Sequence, residues 1–104
     1  MDTVEFSRSI PPEMMATIFK NYFEQHMAAY YMCRGLNFVT INVSDVDKAS
    51  IMYSVKLMDQ DQKDHIVNSL RHSSANLRVY NAIIKPDIFI NGDLLCITLH
   101  KEEN

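Results

Sequence analysis

Residues 11–34, PPEMMATIFKNYFEQHMAAYYMCR, decide the fold. Stepped at 100° per residue, Met15, Phe19, Tyr22, His26, Ala29 and Cys33 fall on one line, and Ile18, Phe23 and Tyr30 widen it. Met14 and Met32 extend the apolar arc on one side and Met27 on the other, with Tyr31 beside it. Glu13, Thr17, Lys20, Asn21 and Glu24 form the polar sector. The spacing predicts one helix from Pro11 to Arg34. Ser9 is placed to cap it, Pro11 and Pro12 open the first turn where their missing N–H groups cost nothing, and Gly35 after Arg34 stops it. A helix of that length spans about 36 Å. Its apolar arc exceeds the stripe of about 100° that a surface helix needs, so coverage on more than one side is expected.

The remaining chain must supply that cover. Leu36 to Val43 reads as a strand, with Val39, Ile41 and Val43 on one face and Leu36 and Phe38 on the other. Ala49 to Met58 reads as its antiparallel neighbour, with Ile51, Tyr53, Val55 and Leu57 alternating against Met52, Ser54, Lys56 and Met58. Asp59 and Gln62 have capping-box spacing and open a second helix with a narrow stripe of Ile66, Val67 and Leu70, ending near His72. Leu77 to Ile84 is expected to be extended. Asn91-Gly92 between two β-rich runs predicts a hairpin with those residues at its centre. That turn sets Ile90 opposite Asp93, Phe89 opposite Leu94 and Ile88 opposite Leu95. One face then collects Ile84, Ile88, Ile90, Leu95, Ile97 and Leu99, and the other Phe89, Leu94 and Cys96. Pro86 marks a bulge or an edge.

The expectation is a single α+β domain over residues 1–104. Its order is α-β-β-α-β-β, with an antiparallel sheet of four or five strands and two helices on one face. Residues 1–9 read as a lead-in arm or short strand, and 101–104 as a polar tail. Two αββ units, 11–58 and 59–100, are conceivable, although no residue pattern repeats between them.

Composition narrows the function. Hydrophobic residues make up 47% of 104, which suits a packed core rather than a disordered chain. Ten basic and thirteen acidic residues leave a formal charge of −3, so the chain lacks the cationic footprint of a nucleic-acid binder. Asp2 and Glu5 stand where a signal peptide needs cations, and no run is long enough to span a membrane. Cys33 and Cys96 are therefore expected as free thiols in a reducing, cytoplasmic setting. Gly35 and Gly92 are the only glycines, and both serve turns, which excludes phosphate-cradling loops.

No residue cluster carries a catalytic signature. His26 on the apolar face reads first as a core histidine. With Cys33 it lacks the further close ligands that a zinc site requires. His65 and His72 share a solvated helix face, with Asp61 one turn before His65. Ser69, Ser73 and Ser74 lie near histidines without a nucleophile elbow. Asp45/Asp47 and Asp59/Asp61 lack the glycine and terminal glutamate of a calcium loop. No metal, cofactor or catalytic residue is expected. The excess of Met and Tyr points instead to a protein-binding surface, with Met14, Met27, Tyr30, Tyr31, Met32, Phe89 and Leu94 as its candidates. The functional expectation is a small non-enzymatic regulatory protein that binds and modulates another protein and self-associates. A compact acidic inhibitor, as a phage or mobile element would encode, fits that description. The alternative is a small-molecule-binding protein or acid–base enzyme with a pocket between the first helix and the sheet, around Tyr22, His26, Tyr30 and Tyr53.

Overall fold

The computed structural model describes residues 10–28, 31, 35–73, 78–79 and 82–103. Helix α1 (Pro12–His26) leads into strands β1 (Asn37–Asp45) and β2 (Lys48–Ser54). Helix α2 (Gln60–Ser73) is followed by β3 (Arg78–Val79), β4 (Ala82–Asn91) and β5 (Leu94–Glu103). The expected α+β order stands. All pairings are antiparallel, and the strands lie in the order β1-β2-β5-β4-β3. The lead-in arm, the cap assigned to Ser9, and Leu77 lie outside the described residues.

One face of the sheet carries the core. Ala49, Ile51 and Tyr53 of β2 pair with Leu99, Ile97 and Leu95 of β5, and Ile88 of β4 pairs with Ile97. These residues form one buried cluster with Met15, Ala16, Phe19, Phe23 and Met27 of the first helical region and Ile66, Val67 and Leu70 of α2. Such side chains each contribute about 1.5–3 kcal/mol on burial, so both helices are held to the same face by the cluster they share with it.

The first helix is shorter than its periodicity predicts. Pro11 is the N-cap and Pro12 the first helical residue. The helix stops at His26, and Met27 takes φ −96°, ψ 19° while its N–H still reaches the Phe23 carbonyl at 2.8 Å. The Tyr31 N–H then bonds the Met27 carbonyl at 2.7 Å, and Ala28 and Tyr31 are again helical. No glycine or proline marks the break. It falls where Met27 is drawn into the core while His26 stays in solvent, a case of packing overriding local pattern.

Four strand assignments also shift. In β1 the register jumps between Phe38 and Thr40, so Val39 is an extra, bulged residue. Phe38 therefore joins Ile41 and Val43 on the core face, opposite Tyr53, Ile51 and Ala49. Strand β2 ends at Ser54, because the Met58 N–H bonds the Val55 carbonyl at 3.0 Å and turns the chain. Leu57 is left in solvent rather than on the core face. The last hairpin turns on Gly92 and Asp93, with Asn91 opposite Leu94. Gly92 takes φ 63° at the first central position, and the Asp93 carbonyl accepts from the Val55 N–H at 2.8 Å, tying the turn to the end of β2. Residues 101–103 continue β5 rather than forming a tail, pairing with β4 as far as Glu103 opposite Ala82. Lys101 also donates from Nζ to the Ile10 carbonyl at 2.9 Å.

The two halves share a register that their residues do not advertise. Pairs 49/99, 51/97 and 53/95 are symmetric about Ile51 and Ile97. A shift of 46 residues maps β2 onto β5 and reproduces the pairing of β1 with β2 in β4 with β5 to within two residues. The αββ units are thus related by an approximate twofold, which makes the outer edge of β1 the counterpart of the outer edge of β4.

Candidate functional site

Among the described residues, the side chains between α1 and Tyr53 pack against one another. Tyr53 is fully buried, and its hydroxyl donates to Glu24 Oε2 at 3.1 Å. Burial first, then the charge and hydrogen bond of Glu24, hold that hydroxyl well above the ordinary tyrosine range, so it stays protonated. Glu24 is in turn paired with Lys20 at 2.7 Å, and Lys20 lies 4.5 Å from the Phe38 ring centroid. Tyr31 and Phe38 both meet the Tyr53 ring edge-on, at 5.9 and 5.8 Å. This is a packed, satisfied network. Tyr22 is half-buried with its ring edge-on to Phe23, and His26 is exposed at the helix end rather than in the core. Tyr30, Met32 and Cys33 lie outside the described residues.

The interaction candidates separate onto different surfaces. Met14 is 50% exposed on α1, whereas Met27 is buried in the core and offers no surface. Phe89 and Leu94 lie on the helix-free face. There Thr40, Met52, Cys96 and Phe89 form one row across four strands, with Phe89 39% exposed. Burial pushes the Cys96 thiol up, away from thiolate chemistry. The next row is polar, with the hydroxyls of Ser50 and Thr98 3.4 Å apart. Further along, His100 sits 3.4 Å from Asp47 and 3.7 Å from Glu102, and Lys85 pairs with Glu102 at 3.2 Å. Among the described residues, no cluster of His, Cys, Asp and Glu could hold a metal ion.

A groove of about 520 Å³ runs between α2 and the tip of the last hairpin, lined by Lys63, Asp64, Asn68, Arg71, Phe89 and Ile90 among others. Several of its polar groups are already engaged. Gln60 Nε2 donates to Asp64 Oδ1 at 2.9 Å, and Arg71 Nε donates to the Ile88 carbonyl at 2.9 Å.

That last bond shows how the edge of β4 is closed. The Ile88 carbonyl points away from β5, and residues two apart share its direction. Pro86, which lacks an N–H, therefore faces the same way, in register with Leu99 and without a bulge. Lys85 and Asp87 place charges on either side of it, and β3 covers Ala82 and Ile83. These are the devices by which sheet edges avoid pairing with other chains. The outer edge of β1 carries none of them in its centre. Leu36 to Ser44 contains no charge and no proline, and every β1 residue except Thr40 and Ile41 is exposed. Val39 and Val43 are 50% and 52% exposed. Among the described residues, no strand lies outside β1.

The β1 edge was absent from the surfaces expected from sequence. The uncharged run from Leu36 to Ser44 could have flagged it, but only strand order shows that this run lies outermost among the described strands. No family model matches the chain, and no curated protein or solved structure is similar to it at a significant level.

Proposed function

We propose that this chain is a non-enzymatic protein-interaction protein, of the regulatory or inhibitor type, which binds an extended strand of a protein partner along the outer edge of β1. The observation that carries this reading is the contrast between two equivalent edges. The edge of β4 is closed by proline, charge, an arginine bond and a short covering strand, while among the described residues that of β1 carries none of these from Asn37 to Ser44. Strand addition draws affinity from main-chain hydrogen bonds and specificity from alternate side chains. The exposed Val39 and Val43 supply apolar contacts there. The satisfied hydrogen bonding of Tyr53 favours this reading over an acid–base enzyme. The reading places the protein in the cytoplasm, where the free thiol of Cys96 remains reduced.

Site-specific photo-crosslinking in the native host tests it. A photoreactive residue at Val43 is expected to trap a protein, and one at Asp87 on the closed edge is not. Absence of an adduct at Val43, or equal capture at both positions, would refute the reading.

A further inference from the structure

The geometry points to a second copy of this chain as the occupant of the β1 edge, paired antiparallel to form one continuous sheet; this rests on the edge-binding reading above. The first support is electrostatic. Two molecules of net charge −3 repel, yet the segment that would meet itself, Leu36 to Ser44, adds no charge to that repulsion. A partner chosen for opposite charge would find nothing to recognise along it.

The second support is register. The pairing of β1 with β2 is regular from Thr40 to Val43 and broken on either side, at Val39 and Ser44. The regular stretch is therefore the part flat enough to accept another strand. An antiparallel self-pair has its twofold perpendicular to the sheet, so opposite residues must come from the same face. Centring on Ile41 satisfies this. It sets Ile41 against Ile41 on the helix-bearing face and Thr40 against Asn42 on the other. Val39 and Val43, two of the three apolar residues exposed on the strand, flank this pairing.

The third support is what flanks the seam. Lys20 leans over Phe38 of β1, so the Lys20–Glu24 side of α1 lies beside this edge. Across the twofold, two antiparallel α1 helices would present a strip holding both signs of charge, which suits a self-complementary contact. The closed β4 edges would then form the two ends of the doubled sheet, so association stops at the dimer.

Sedimentation equilibrium on the intact chain decides the matter, with Asn42→Lys and Val43→Lys as variants. Both sites are exposed, and the helical circular dichroism of each variant checks its fold. A wild-type dimer is expected at about 100 μM, with a dimer dissociation constant at least about ten-fold higher in each folded variant. A wild-type monomer at that concentration would overturn the inference, as would a dimer that neither substitution weakens. The Val43 cross-link separates this outcome from failure of the broader reading. An adduct of two chain masses supports the second copy. An adduct with a different protein removes it while leaving edge binding intact.

Discussion

Tyr53 shows how much one buried polar group can organise. Its ring is packed among Tyr31 and Phe38, and its hydroxyl fixes Glu24, which holds Lys20 over β1. Tyr53→Phe removes the bond while keeping the ring. Glu24 retains Lys20, so the expected loss at neutral pH is about 1 kcal/mol by urea denaturation. The pH dependence has a definite sign. The folded-state value for Tyr53 lies above the unfolded one, so its contribution is intact below about pH 10 and is lost as the pH rises further. Tyr53→Phe is expected to flatten the alkaline decline of stability; an unchanged slope would show that the hydroxyl is not held as described. The two glycines provide a contrast at the same scale. A Cβ on Gly35, at φ 80°, would come within 2.6 Å of Leu57 Cβ, whereas one on Gly92, at φ 63°, meets nothing within 4 Å. Gly92→Ala should cost about 1 kcal/mol for its backbone alone, and Gly35→Ala measurably more, in parallel thermal melts.

At the scale of elements, α2 was the most legible. Its predicted capping box forms with both bonds in place: the Gln62 N–H reaches Asp59 Oδ1 at 2.9 Å, and the Asp59 N–H reaches Gln62 Oε1 at 3.0 Å. Asp59→Ala is expected to lower stability by about 1 kcal/mol, read from chemical denaturation, while Asp59→Asn should recover most of it. The last hairpin was legible in its faces but not in its turn. Moving the turn from Asn91-Gly92 to Gly92-Asp93 changes each pairing by two positions, an even number, so every side chain keeps its face. Residues 11–34 misled for the opposite reason. Periodicity reports which residues want burial, but not whether one unbroken helix can bury them all, and the interruption at Met27 is the answer. Strand β1 misled because a bulge is an odd shift. One extra residue at Val39 moved Phe38 onto the core face and broke the alternation with Ile41 and Val43.

For the whole molecule, the approximate twofold organises both core and surface. It places β2 and β5 at the centre of the sheet, where Ile51 and Ile97 meet, and it makes the β1 and β4 edges equivalent by position. Equivalent positions with unequal protection define the candidate interface. The Val43 cross-link and the lysine variants of β1 are therefore tests of architecture as much as of function. The sequence by itself determined the α+β class, the element order, the strand faces of the last hairpin and the cap of α2, because these follow from local periodicity and short-range hydrogen bonding. Only the tertiary structure decided that α1 stops at His26, that Tyr53 is spent on Glu24, and that β1 lies outermost among the described strands. Strand order and the exposure of an edge arise from which distant segments pack together, and no local pattern in the chain records that.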